Sequence, residues 1–341
     1  MIDLRSDTKT LPTPEMREAM ARAECGDDVG REDPTVNRLE EMAAARLGKE
    51  AACFVTSGTQ GNLTSLMAHT RPGQAIIAHE QAHILVYEQG GYARIAGLAL
   101  YPVPGKYGDL DPEALQGVFP PREIHRVQPG VVCLENTHNV CGGTVLTARQ
   151  IAAVAAVAHE HGVPLHIDGA RIFNAAIALG MPAAELVAAA DSITFCFSKG
   201  LGAPVGSIVC GEAGFVERVR WARKVLGGGL RQAGIIAAAA IVALETMVDR
   251  LADDHAHSRQ IAETLAALPG IEIDLNSIQT NIIRFSVVRD DLSAPQLCDC
   301  LKERGVLGSP VSDTAIRLVT HADVSARDTE TVCDALKDAL A

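Results

Sequence analysis

The sequence predicts an α/β protein: a large unit built on a mostly parallel sheet, followed by a smaller C-terminal α+β unit. Three observations carry this. Helical and strand-like segments alternate over most of the 341 residues, more chain than one hydrophobic core usually organises. The strand candidates are short, nearly continuous apolar runs, as expected of strands covered on both faces. From about Ala233 the texture shifts to longer helical stretches with fewer strands. The large unit is placed at residues 1–245 and the small one at 246–341, with the N-terminal segment free to pack on both.

Each element has a local reason. Glu32–Leu47 reads as a helix, with Pro34 suited to its first turn. Thr59–His69 reads as another. Ala75–His79, Leu98–Val103 and Val131–Leu134 are strand candidates. Thr147 with Gln150 three residues on is a capping box, and Gly162 is the stop. Leu165–Ile167, Ile193–Phe197 and Ser207–Cys210 are further strands. A long helical region follows from Ala233 towards Leu268. Then come a strand (Ile282–Val288), a helix (Pro295–Arg304), a strand (Ile316–Val319) and a last helix (Ser325–Leu340), opened by Ser325 and Asp328.

Composition narrows the function. The net charge of −12 and the lack of a Lys/Arg cluster disfavour nucleic acid. The start MIDLRSDT has no secretory pattern, and Ala233–Leu244 is too short to span a bilayer. Nine scattered cysteines without a C-x-x-C pair fit reduced thiols in a cytoplasmic protein. Cys298/Cys300, His159/His161 and His255/His257 sit at i, i+2 in helical stretches, where side chains diverge. No metal site is expected.

The segment FCFSKGLGAPVG, Phe195–Gly206, holds the most chemistry. A lysine, Lys199, stands just after a buried strand. Either it snorkels to solvent, or it faces a ligand at the strand's carboxyl end as a desolvated amine able to form Schiff bases. The segment LHIDGARIF, Leu165–Phe173, ends another apolar strand in Asp168, about one βαβ unit earlier. Asp168 could simply cap the turn at Gly169. Paired with Lys199, it is what a pyridoxal 5′-phosphate (PLP) enzyme needs: an amine for the cofactor aldehyde and a carboxylate for the ring nitrogen. In FVTSGTQGN, Phe54–Asn62, a strand runs into Ser57-Gly58-Thr59 at a helix start, a place for a phosphate. Neither a Walker loop nor a dinucleotide fingerprint is present. Arg317, on the apolar strand IRLV, needs an anion, either a substrate carboxylate or a local acid.

With these stand IDLRSDT, GDDV, DPTVN, CLENTHN, HIDGARIFNA, SKGLGAPVGS, GGGLRQAGI and RLVTH, in order along nearly the whole chain. The sequence thereby resembles the low-specificity L-threonine aldolases, relatives of the β-eliminating lyases with the aspartate-aminotransferase-like fold type I. The resemblance implies a seven-stranded, mostly parallel sheet, PLP, and cleavage of threonine-like β-hydroxy amino acids to glycine and an aldehyde. It implies a homodimer or homotetramer with shared sites. Lys199 would be the Schiff-base lysine, and Asp168 would pair with the ring nitrogen. His83 would stack on the ring near the substrate hydroxyl, with His125 a second histidine there. Gly58 and Thr59 would hold the phosphate, which Arg231 would reach from a neighbouring subunit. Arg171 would lie near the ring oxygen and the substrate carboxylate. Ser6 and Arg317 would grip that carboxylate, and Lys224 would lie near the mouth of the site. Gly30-Arg31 stands where the family has Tyr-Gly, which puts the accepted side chain in question. An aminotransferase, a β-eliminating lyase or a non-catalytic PLP binder would share much of this set.

Overall fold

The computed structural model describes residues 1–340. Seven strands form the central sheet: β1 (Ala51–Val55), β2 (Ala75–His79), β3 (Ala99–Val103), β4 (Pro129–Glu135), β5 (Leu165–Asp168), β6 (Ser192–Cys196) and β7 (Ser207–Gly211). Their order is β1-β7-β6-β5-β4-β2-β3. All neighbours are parallel except β7, which runs antiparallel to both β1 and β6. The connection Phe197–Gly206 is too short for a crossover helix, so the chain must turn straight back. The mostly parallel seven-stranded sheet agrees with the expectation from sequence.

The helices begin where their caps dictate. Asp33 accepts from the amides of Thr35 and Val36, with Pro34 at the first position of helix Pro34–Leu47. Thr147 and Gln150 form the capping box of helix Ala148–Glu160. Ser57 caps helix Gly58–His69, which packs against β6. That packing needs glycine: a Cβ on Gly61 would stand 2.5 Å from Thr194 Cγ2, and one on Gly58 2.9 Å from Cys196 Sγ.

The chain buries two main hydrophobic cores. One joins the sheet to its helices and includes Phe54, Phe195 and Phe197, all without solvent exposure. The other surrounds a four-stranded sheet of β8 (Ile271–Glu272), β9 (Ile282–Val287), β10 (Ser309–Pro310) and β11 (Ala315–Val319). The expected long helix from Ala233 is broken: Gly234–Thr246 and Leu251–Ala266 are separate helices. The first is apolar on nearly all sides and lies in the larger core. The second turns Ile261, Ala262 and Leu265 into the smaller core. A straight helix could not serve both. The N-terminal strand Ile2–Asp3 pairs with Val306–Leu307, and Leu4 is buried in the smaller core.

Candidate active site

The strands deliver the expected residues to one end of the sheet. Asp168 ends β5, and Glu135 lies opposite it at the end of β4. Ser57-Gly58-Thr59 follows β1, His83 follows β2, and Lys199 follows β6. In an open α/β sheet the carboxyl ends of strands are where ligands bind.

The floor of this site is a closed hydrogen-bond system. Asp168 Oδ2 accepts from Asn62 Nδ2 at 2.8 Å, and Oδ1 from the Ala170 amide at 3.2 Å. Asn62 also donates to Glu88 Oε1 at 2.9 Å, and that oxygen lies 2.8 Å from His83 Nδ1. Burial disfavours charge on His83. The hydrogen bond to Glu88 and the negative charge of Asp168 outweigh it and raise the imidazole's pKa. Glu135 accepts from the amides of His83 at 2.6 Å and Asn139 at 2.7 Å. Burial, then the charge of Asp168, push the Glu135 carboxyl up to about 7.

The rim is different. Lys199 is half-buried and engages the chain through its backbone carbonyl, which accepts from Thr10 Oγ1 and Gly202 N. Its ammonium forms no ion pair among the described residues, yet acts electrostatically on Asp7 and His83. Arg317 donates to Asn139 Oδ1 and to the Arg5 carbonyl, each at 3.2 Å, and its buried Nε has no partner. It has no acid of its own. Burial and repulsion from Arg171 lower its pKa. The amides of Gly58 and Thr59, at the start of a capped helix, donate to nothing among the described residues.

Arg171 already has a partner within the chain. Its buried guanidinium closes on Asp7 in a two-point pair, Nε–Oδ2 at 2.6 Å and Nη2–Oδ1 at 2.7 Å. Nη1 faces Asn139 at 3.4 Å. Burial would raise the Asp7 pKa, but Arg171 and then Lys199 hold it down to about 2. A buried carboxylate needs such a partner, so Arg171 is committed and Arg317 is the cation left open. Ser6 accepts from the Thr8 amide, capping a short turn beside Asp7.

Three expected residues are not gathered here within one chain. His125 is exposed, on the loop before β4 and so at the opposite end of the sheet. That loop borders a cavity of about 1310 Å3 lined by Ile124, Pro129 and Pro164, remote from Lys199. Lys224 lies exposed in the last turn of helix Ala213–Val225, and Arg231 lies exposed on the connection after it, where it pairs with Asp27 at 2.9 Å. The sequence reading missed Asp7, Asn62, Glu88, Glu135 and Asn139. Glu135 ends an apolar strand just as Asp168 does, and the same rule would have found it. Glu88 carries no local signal.

The donor set suits PLP: a free amine, a buried carboxylate on the adjacent strand, a helix start with free amides, and an arginine with an unanswered Nε. A model of the β-eliminating lyase family matches residues 3–287. The low-specificity L-threonine aldolase 1 of Arabidopsis thaliana is 44% identical, over 99% of this chain and 96% of its own. The low specificity L-threonine aldolase of Escherichia coli K12 is 42% identical, over 95% of each chain. In structure, the threonine aldolase of Leishmania major superposes with a TM-score of 0.85 at 21% identity, over the full length of both chains. The fold is fold type I, and the chain belongs to the β-eliminating lyase family.

Proposed function

We propose that this protein cleaves L-threonine, L-allo-threonine and related β-hydroxy-α-amino acids to glycine and an aldehyde, acetaldehyde in the case of threonine, with PLP as cofactor. The observation that carries the reading is the pairing of two unanswered cations, Lys199 and Arg317, with the buried Asp168 in one site of a chain of this family. Bound PLP would supply an electron sink for the Cα–Cβ bond pair. Lys199 would anchor it through its amine. Asp168 would keep the ring nitrogen protonated. Gly58 and Thr59 would hold the phosphate with their amides.

The remaining groups act on the substrate. Arg317 would take the carboxylate through its open Nε edge, with Ser6 and the Nη1 edge of Arg171 beside it. This fixes which bond at Cα stands across the ring. His83 is the base for the β-hydroxyl proton: Glu88 holds its Nδ1–H, which leaves the Nε2 lone pair free. His125 lies too far away to share the task within its own chain.

The same reading makes the protein a cytoplasmic homodimer or homotetramer with shared sites, serving glycine biosynthesis and threonine catabolism. No helix among the described residues is long and apolar enough to cross a membrane. Trp221 and Val225 are exposed on the helix that carries Lys224, and Ile235 on the helix that follows Arg231, as a subunit contact would require. Arg231 would then reach the neighbour's phosphate. PLP-loaded protein, incubated with each of the two threonine diastereomers, should release equal amounts of glycine and acetaldehyde. Cofactor binding without glycine from either substrate would overturn the reading.

A further inference from the structure

The hydrogen bonds do not stop at Asn62. Behind Asp168 they continue through the layer between the sheet and helix Gly58–His69. Asn62 Oδ1 lies 3.4 Å from His166 Nε2, His166 Nδ1 2.8 Å from Ser192 Oγ, and Ser192 Oγ 2.6 Å from His69 Nε2. Asn62, His166 and Ser192 are buried; His69 is half-buried and stacks on Phe215. The elements dictate this alignment. His166 and Asp168 alternate along β5, so they share a face. Ser192 is paired with His166 across β6. Asn62 and His69 lie two turns apart on one side of their helix.

The chain has one direction. The Asn62 amide nitrogen faces two carboxylates, Asp168 and Glu88, so its oxygen faces His166. His166 Nε2 must then donate, and Nδ1 must accept from the Ser192 hydroxyl. The Ser192 oxygen in turn accepts from His69 Nε2–H. Every donor points towards Asp168. Burial pushes the His166 imidazole down to about 3 and the His69 imidazole down to about 4, so both stay neutral at ordinary pH. An amide in the path passes no proton without rearranging its bonds, so the chain is not a proton conduit. It is a row of aligned dipoles, which strengthen one another at low dielectric. Such a row presents its donor end to the Asp168 carboxylate and adds no positive charge that would compete for it.

We propose that Asn62, His166, Ser192 and His69 are positioning residues that hold Asp168 as a carboxylate towards the ring nitrogen of the cofactor. This rests on the reading of the site as a PLP site. Asn62 is the hub, because the same amide steadies Glu88 and through it His83.

The test compares two ligands: PLP and its analogue with carbon in place of the ring nitrogen. Dissociation constants are measured for the wild type and for His166→Leu, His166→Gln and Ser192→Ala. The glutamine keeps one donor and one acceptor. We expect His166→Leu and Ser192→Ala to weaken PLP about tenfold, the upper end of the net worth of one neutral hydrogen bond. Binding of the analogue should change by less than about twofold, and His166→Gln should recover most of the loss. Equal losses for both ligands, or unchanged PLP affinity in folded variants, would overturn the proposal. Circular dichroism checks folding, and Ser192→Ala, which removes one hydroxyl, decides the matter if His166→Leu does not fold. A wild type that binds no PLP would sink the functional reading, and this proposal with it.

Discussion

The floor and the rim of the site are built on opposite terms. On the floor Asp168, Asn62, Glu88 and Glu135 answer one another or backbone amides. On the rim, among the described residues, Lys199 forms no ion pair, Arg317 has a buried donor without an acceptor, and the Gly58 and Thr59 amides donate to nothing. Buried polar groups are normally paired, and leaving one unpaired costs about 1–3 kcal/mol. A chain that satisfies one layer and leaves the next open has sorted its residues by task. The closed layer orients, and the open one meets the ligand.

The rim should therefore fail first when it is cut. Lys199→Ala should abolish turnover, with glycine release from threonine as the measurement; substantial residual activity would remove Lys199 from its role. Arg317→Leu comes next. Loss of a desolvated, charge-assisted contact to the carboxylate should lower kcat/KM roughly a thousandfold while the melting temperature hardly moves. Lysine at this position should restore only part of the loss, because it lacks the planar fork. A large fall in stability with normal kinetics would assign Arg317 to the floor.

Much of the rim was legible in the sequence, and little of the floor was. Lys199 and the Ser57–Thr59 turn stand at the ends of apolar strands, where a polar residue is conspicuous, and Asp168 was the one floor residue read from its sequence, for the same reason. Arg317 was legible for the same reason: a charge on IRLV demands an explanation. Glu88 lies beyond a single helical turn, and Asn62 sits inside a helix, so each acquires its meaning from partners distant in the chain. Arg171 was expected near the ring oxygen and the substrate carboxylate, and nothing in sequence says that Asp7 pairs with it inside the chain. The break at Met247–Arg250 was hidden likewise, because it arises from two cores competing for one helical stretch.

Cutting the closed layer should cost stability instead. Asp7→Asn leaves Arg171 buried beside a neutral amide. One hydrogen bond can survive, so we expect a loss of about 3 kcal/mol, at the low end for a broken buried pair. Its pH signature is separate from that of the histidines. Asp7 is held down to about 2, so its contribution is present above the usual carboxylate range and is lost only as pH falls through about 2. His138 and His166 are held down to about 3 by burial. Below their ordinary value of 6.5 the unfolded chain takes up protons that the folded one refuses, so stability falls as pH drops from there. His69 and His255, held down to about 4, act in the same sense; Glu135, raised to about 7, and His83, also raised, work the other way but are outnumbered by the four lowered histidines. Melting temperatures should fall between pH 7 and 5, with the same slope in the wild type and in Asp7→Asn. A slope that flattens in the variant would mean that Asp7 titrates in that window and is not a closed pair.

The smallest effect is the sharpest control. Glu18 and Arg22 approach to 2.5 Å, as close as Asp7 and Arg171 at 2.6 Å, but with side chains 58% and 81% exposed against 0% and 5%. Water already serves both exposed charges, and holding two long side chains in one geometry offsets the attraction. Glu18→Gln should therefore leave the melting temperature unchanged within error, in low salt and in high. Distance is common to the two pairs and burial is not. If Glu18→Gln cost as much as Asp7→Asn, proximity alone would set the worth of an ion pair here, and the division into a closed floor and an open rim would lose its physical basis.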